Sequence, residues 1–491
     1  MDKFPQEIIS AILGHFDEKE DRSQIISFAT ISRQWQFAVE RFNLRCVKVE
    51  STALSTFANL FRPSQSHRNV LVKVIHFGAV LPSYSDEACC EYETEIEKDT
   101  NSQVFSEAIH ELFKVLREIK NSGGFHLDVD AWSPMDSHRR PDAERKRYFG
   151  DPNDLWEKRY QTSFLQLRDH ERLPVLSNIS SFSCRASRHG RYIEPASAMA
   201  MVAKMTDLEK ATLVFYDEDD LSVETRQMNR YNLAKAMSAC AHSVDEIIIQ
   251  FLARGPEWTG KRPPNLLPPG STVDSLNPAL HKYIQRANIT KKVLLMGHFV
   301  TPELFWPSPD TTSMSLPLWQ NLQEMHVLMP TSAPDGGYYL VPDHSTSSDS
   351  ESSEDSENSD EEDEDEDEDT DEDEESYDYG DSSSESAEEV EYVPNPERMN
   401  PLLIAMARAA QHAPSLEKMR LRVPRPYGGR YFDVWFLVKG VPSKSEEEEP
   451  SDKTRVIWQV GDWRPDEEVL RHWRNAIPSD GVMLYNVSSY Y

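Results

Sequence analysis

No long apolar run, apolar leader or paired-cysteine motif occurs in the sequence. Its longest apolar stretches, such as residues 293–296, have the length of strands and fall far short of the roughly 18 residues typical of a membrane-spanning helix. The opening residues form no apolar signal segment, and the 5 cysteines include no CxxC pair. These absences predict a protein of the cytoplasm, the nucleus or both, with reduced thiols and no membrane partner.

Motifs of the common enzyme classes are also missing. The sequence contains no GxSxG, HExxH, P-loop or GxGxxG motif, and its 15 histidines are scattered without paired spacing to carboxylates. The cysteines lack the Cys/His spacing of a zinc site. We therefore expect no enzymatic activity, no cofactor and no bound metal.

Negative charge is concentrated in one segment. Of the 84 acidic residues, 27 lie in residues 343–391, which contain no Lys or Arg and only four apolar residues. The rest of the chain carries 57 acidic against 52 basic residues, so it lacks the basic excess of a nucleic-acid binder. Because so many like charges with so few apolar residues cannot offset the entropy of ordering, we expect a disordered acidic insert over residues 343–394.

This insert has three candidate roles. It can be a solvated, self-repelling linker, or it can attract a basic partner such as a histone or ribosomal protein in a salt-dependent way. Phosphorylation is the third role, because Ser348, Ser352 and Ser359 each have an acidic residue three positions further on, the pattern of an acidophilic kinase site.

Residues 4–44 have the apolar spacing of three short helices. Pro5 suits a first helical turn, Ser23 is a good N-cap for the second helix, and the third follows Ser32. About forty residues barely build an independent core, so part of these apolar faces should pack on the next domain or on another protein. The apolar stripe of the first helix comprises Ile8, Ile9, Ile12, Leu13 and Phe16.

The same stretch resembles an F-box. Residues 4–9 read Phe-Pro-Gln-Glu-Ile-Ile, and residues 31–35 read Ile-Ser-Arg-Gln-Trp. The family motif opens with Leu-Pro-x-Glu-Ile and closes with an apolar residue followed by Ser or Cys, Arg, x and Trp; Phe4 replaces the usual Leu. The resemblance covers about 40 of the 491 residues, and the sequence that follows is similar to many fungal F-box proteins of unassigned substrate.

This resemblance implies a partner. An F-box would bind the Skp adaptor, and through it the cullin and RING subunits of an SCF-type ubiquitin ligase, with Trp35 as an apolar anchor. The alternative is a helical cap on the following domain. The adaptor-binding residues implied are Phe4, Pro5, Glu7, Ile8, Ile9, Ile12, Leu13, Phe28, Ile31, Ser32 and Trp35.

Downstream, a short strand pattern recurs: an apolar residue, two polar or small residues, then apolar-x-apolar. Copies start 29, 36, 45 and 33 residues apart, and the last interval of 94 falls to 45 once the 49-residue acidic segment is subtracted. The pattern predicts strands that lie parallel in chain order and share one core. The core positions are Phe182, Ala211, Ile247, Met325 and Met419, and, two residues on, Cys184, Leu213, Ile249, Val327 and Leu421.

Helical segments lie between these strands, and the alternation resembles an irregular leucine-rich repeat. The expected fold class is therefore α/β: a three-helix F-box at residues 1–50, a solenoid at 51–342, the acidic insert at 343–394, and the end of the solenoid with a C-terminal cap at 395–491. An α/β domain of another topology is the alternative. We interpret the tryptophans of the last third as capping core, although a ligand site would also fit them.

Two functions from different classes follow. The first is a substrate-recognition subunit of an SCF-type ligase, which would hold an unknown protein substrate on the solenoid. The second is a non-enzymatic chaperone or scaffold for basic proteins, acting through the acidic segment. The N-terminal pattern favours the first, because a chaperone has no need of it.

Deleting residues 343–391 should leave the fold intact. We expect the thermal midpoint to change by only a few degrees, because a segment with 27 acidic and four apolar residues contributes little burial. Thermal denaturation of the full chain and the deletion variant measures this. A large loss of stability would show that the segment packs against the body.

Overall fold

The computed structural model describes most of the chain. Phe4, Ser348, Ser352, Ser359 and the acidic segment 343–391 lie outside its described residues. Within the described part, none of the helices combines the length and the apolar character needed to cross a membrane. The described residues are 5–16, 22–61, 63–85, 87–120, 123–136, 159, 163–185, 191–219, 221–242, 244–252, 263–287, 290–307, 317–342, 392–424, 431–442 and 451–485.

Three helices open the described chain, as the apolar spacing predicts. They are α1 (Gln6–Leu13), α2 (Arg22–Phe28) and α3 (Arg33–Arg45). Pro5 stands just before α1 and has no N–H to leave unpaired there. The Ser32 hydroxyl caps α3 by accepting a hydrogen bond from the Trp35 N–H at 3.4 Å.

A twelve-stranded sheet dominates the rest, so the fold is mixed α/β with a large, mostly parallel sheet. Nine of its strands run parallel in chain order, and the tenth then reverses direction. The sheet strands are β1 (Cys46–Glu50), β2 (Val74–Val80), β3 (Phe125–Trp132), β5 (Ile179–Arg185), β7 (Lys210–Tyr216), β8 (Glu246–Leu252), β9 (Lys292–Met296), β10 (Glu324–Leu328), β13 (Lys418–Pro424), β14 (Tyr431–Leu437), β15 (Arg455–Gln459) and β16 (Val482–Tyr485).

Two small strand pairs lie outside this sheet. β4 (Phe164–Leu165) pairs parallel with β6 (Tyr192–Ile193). β11 (Leu340–Pro342) pairs antiparallel with β12 (Tyr392–Pro394), so the chain leaves for the acidic segment and returns from it at one hairpin base.

Helices cover one face of the sheet. Their apolar side chains share a single core with the strands, for example Phe105, Met237 and Trp473 with Ile247. This is the arrangement that right-handed crossovers between parallel strands produce. The helices are α4 (Leu54–Asn59), α5 (Glu95–Glu118), α6 (Pro195–Val202), α7 (Val223–Ala239), α8 (Leu276–Ala287), α9 (Pro396–His412) and α10 (Glu467–Ala476).

The predicted core positions are confirmed. Phe182 pairs with Ala211, and Ala211 pairs with Ile247 on the next strand. Met325 pairs with Met419 across the interval that contains the acidic segment. All ten predicted side chains belong to one core cluster and are at most 2% exposed. The strands that carry them are parallel neighbours, so the recurring pattern gave the right register.

Two short stretches form strands inside predicted segments for which no strand was expected. Residues 46–50, expected at the end of the three-helix F-box, form β1 and pair with β2, because Val49 is buried in the main core. Residues 392–394, expected in the disordered insert, form β12, where Tyr392 is buried. In both places a buried side chain, Val49 or Tyr392, joins the strand to the main core.

The end of the sheet also differs from a simple repetition of parallel strands. β14 is antiparallel to both β13 and β15. Trp458 of β15 and Trp473 of α10 are fully buried and their rings meet edge to face, with centroids 6.0 Å apart. These two tryptophans close the main core at its C-terminal end.

Adjacent isoleucines in β8 provide a matched test of which sheet face is the core. We expect Ile247→Ala to lower the free energy of unfolding by about 2–5 kcal/mol, because Ile247 is buried under the helices. Ile248→Ala should cost clearly less, since Ile248 lies half-buried on the opposite face. Urea denaturation of both variants measures this; equal losses would contradict the facing assigned here.

Candidate protein-interaction surfaces

The N-terminal helices form a small core of their own. Ile9 and Leu13 of α1 and Trp35 of α3 are buried together, separately from the main core. Phe28 lies half-buried between Phe16 and Trp35, with ring centroids 5.5 Å from each. We call α1, α2 and α3 the helical unit.

Four isoleucines of the helical unit remain exposed. Ile8 is 45% exposed, Ile12 38%, Ile26 52% and Ile31 41%. Ile8, Ile12 and Ile26 each stand next in the chain to a buried member of the unit's core, so the unit fills its interior and still leaves large apolar side chains in water. We call these four side chains the isoleucine surface. Exposed apolar groups concentrated on one small unit are typical of a protein-binding site.

The predicted adaptor-binding residues divide between surface and interior. Ile8, Ile12 and Ile31 belong to the isoleucine surface, and Pro5 and Glu7 are also exposed. Ile9, Leu13 and Trp35 lie in the unit's core and Ser32 caps α3, so these residues support the surface from within. Trp35 is 9% exposed, so most of its side chain packs inside the unit.

The second surface is the face of the sheet that the helices leave uncovered, here called the open face. On five neighbouring strands its side chains alternate in charge, and the Lys210 ammonium lies 3.1 Å from the Glu246 carboxylate. Lys292 lies 3.5 Å from Glu324. Opposite charges on adjacent strands stabilise the pairing. In strand order the row is Lys210, Glu246, Lys292, Glu324 and Lys418.

Arginines and aromatic rings meet at the C-terminal end of the open face. The Arg420 guanidinium lies over the Trp435 ring at 3.8 Å, and Arg422 lies over Tyr431 at 3.4 Å. Both arginines also form ion pairs with the buried Asp433 carboxylate. Stacking and ion pairing hold the guanidinium planes in place.

Histidine and acidic residues occupy the other end of the open face. His76 Nδ1 lies 3.0 Å from the Asp128 carboxylate. Gly78 is required beside them, because a Cβ there would lie 1.6 Å from the Trp132 ring. The open face thus changes from carboxylates on β3 to guanidinium groups on β13.

Buried ion pairs near the strand ends have structural roles. Arg191 bonds Glu93 and Asp136, and Arg226 bonds Asp217, and all five side chains are 6% exposed or less. Removing one partner of such a pair leaves an uncompensated buried charge.

Two buried thiols are held in the protonated form. Burial raises the pKa of Cys184 and of Cys240, so both thiols stay protonated and are poor nucleophiles. Within the described residues, no three or more His, Cys, Asp or Glu side chains are grouped to hold a metal ion.

Comparison of the sequence with models of protein families found no match, and comparison with curated proteins found none either.

The alternating charges of the open face were missed in the sequence, although the signal was present. In each recurring strand the residue just before the first core position is alternately Lys and Glu, from Lys210 to Lys418. In the sequence each of these residues is one member of the polar pair of the pattern. Alternation from one strand to the next becomes visible only when the strands are aligned in register.

His326 should make stability depend on pH. Burial, then the nearby Lys418, lowers its pKa from 6.5 to about 4, against the smaller opposing effect of Glu324. Between pH 6.5 and 4 this histidine binds a proton in the unfolded chain but not in the folded chain. The folded state therefore keeps its full stability above pH 6.5 and loses stability as the pH falls through this range.

We expect His326→Gln to remove that loss, which amounts to about 2 kcal/mol between pH 7 and pH 5. Denaturation of both proteins at the two pH values measures it. Burial also lowers the pKa of His281 and His298, but both remain in the two proteins, so their effect on stability cancels in the comparison. A variant that loses as much stability as the parent would contradict the assigned shift.

Proposed function

We propose that the chain is a substrate-recognition subunit of an SCF-type ubiquitin ligase. In this proposal the helical unit is an F-box that docks the Skp adaptor. The adaptor then connects the chain to the cullin and RING subunits. The chain itself performs no covalent chemistry.

Support for adaptor docking comes from the isoleucine surface. The helical unit already has a closed core, so its exposed isoleucines have no evident role in folding the unit. A partner that covers them gains apolar burial of about 25 cal/mol per Å². An apolar helix face laid in a partner's groove is a common recognition mode. This surface is the single observation that carries the proposal.

The body is proposed to be a degenerate leucine-rich-repeat-like solenoid. Parallel strands in chain order, with helices on one face, support this, and β14 marks the end of the repetition. The open face is then the natural place for a protein substrate, because stacked repeats leave a long continuous surface uncovered. Held there, a substrate lysine would be close to the RING-bound ubiquitin carrier, which raises the effective concentration of the reacting groups.

A chaperone or scaffold for basic proteins is the second candidate. The 27 carboxylates of residues 343–391 favour it. In that case the isoleucine surface would need no adaptor, and deletion of the acidic segment would abolish function. Retention of Skp binding by a chain that lacks residues 343–391 separates the two proposals.

Replacing Ile8 and Ile12 together with serine should abolish adaptor binding. The pair contributes directly to the isoleucine surface, and loss of such anchors typically costs at least about 2 kcal/mol of binding. Isothermal titration of the purified chain with the Skp adaptor measures it.

The matched control replaces two exposed apolar residues outside the unit, Ile96 (79% exposed) and Val175 (54% exposed), with serine. This control should bind like the parent chain. Equal binding by the Ile8/Ile12 variant would refute the F-box assignment. Trp35→Ala should also abolish binding. Unlike the Ile8/Ile12 variant, it should reduce the helical signal as well, because it leaves a cavity in the core of the helical unit.

A further inference from the structure

A groove separates the helical unit from the edge of the sheet. It encloses about 640 Å³ and is lined by α3 on one side and by the chain entering β2 on the other. Phe37 and Val70 present apolar surface to it and are 40% and 53% exposed. The volume is in the range of ordinary binding clefts.

The groove is preformed. The Lys73 N–H donates to the carbonyl oxygen of Arg45, the last residue of α3, at 3.0 Å. β1 begins at the next residue and pairs with β2 from Cys46 and Val74 onward. The two walls are therefore tied together by backbone hydrogen bonds.

Three cations surround this groove. Phe37, Arg41 and Arg45 are spaced four residues apart and so share one face of α3, and Lys73 lies opposite. All three basic side chains are exposed. Within the described part of the chain, no carboxylate lies within 4.0 Å of Arg41, Arg45 or Lys73.

The nearby Glu40 does not neutralise them. Its carboxylate lies 2.8 Å from Arg68 and 3.2 Å from His67. Three cations with no carboxylate within 4.0 Å in the described residues thus stand around the apolar surface of Phe37 and Val70. The complementary ligand combines negative charge with apolar side chains.

We propose that this groove binds an acidic segment of a protein partner, with apolar side chains of that segment resting on Phe37 and Val70. A nucleic-acid backbone would leave the apolar floor of Phe37 and Val70 unused. None of the groove residues belongs to the isoleucine surface, although Arg41 and Arg45 also line a neighbouring cavity with Glu7 and Leu13.

The test uses the full chain and a fluorescein-labelled peptide in which leucines alternate with pairs of glutamates. Anisotropy should show binding that Arg41→Glu with Arg45→Glu weakens by about tenfold or more. Phe37→Ser with Val70→Ser should weaken it comparably. The matched control, Arg117→Glu with Arg172→Glu, makes the same charge change at exposed positions outside the groove and should bind like the parent chain.

Folding is checked by the thermal midpoint of each variant. If the glutamate pair melts early, Arg41→Gln with Arg45→Gln serves instead, with a smaller loss of binding expected. Equal effects of the groove and control variants would overturn the proposal. So would equal binding of a peptide in which every leucine is replaced by serine, because the apolar floor would then have no role.

Two other occupants are distinguished in the same experiment. If the peptide binds only after residues 343–391 are deleted, the chain's own acidic segment is the occupant, and the partner proposal is overturned. If sedimentation shows a dimer that Phe37→Ser dissociates, a second copy is the occupant, with the same consequence. Binding by the parent monomer that the groove variants remove supports the proposal.

Discussion

Register between neighbouring strands is the constraint on which the structure depends. Ile247 pairs with Val293, and Val293 pairs with Met325, so core positions stand opposite one another across the sheet. A slip of one residue on any strand would turn its apolar side chains to the open face and its charges to the helices. The alternating Lys and Glu residues on the open face favour the same register, because this alignment brings Lys210 to Glu246 and Lys292 to Glu324.

The two ends of this sheet are closed in different ways. At the C-terminal end the reversal at β14 places Trp458 and Trp473 over the last core positions. At the N-terminal end β1 is short and is reached directly from α3. Short or covered edge strands limit pairing with other chains. The helical unit therefore projects from one edge of the sheet with a core of its own, and its exposed isoleucines lie outside the main packing.

The sequence predicts which residues are buried only where neighbouring residues differ in polarity. In the strands the period of two separates inside from outside, and the core positions were predicted correctly. In α1, Ile8 and Ile9 are both apolar and only 100° apart on a helix, so spacing alone does not say which is buried. The structure buries Ile9 and exposes Ile8.

Local composition does not indicate where α8 begins. Asn277 and Pro278 resemble a loop, yet α8 begins at Leu276, and a proline in a first turn breaks no intrahelical hydrogen bond. The repeat pattern also does not predict that β14 runs antiparallel to β13. The direction of a strand depends on the connection that precedes it and not on its apolar period.

The acidic segment can be large because of where it joins the body. β10 and β13 pair directly, so the sheet is continuous across the sequence interval that contains residues 343–391. β11 and β12 bring the two ends of that segment together, with Leu340 opposite Pro394 and Pro342 opposite Tyr392. Once its ends are held, lengthening a segment costs little, because closure entropy grows only with the logarithm of its length. Because β11 pairs with β12 and β10 pairs directly with β13, the length and charge of the acidic segment can change without altering the register of the sheet.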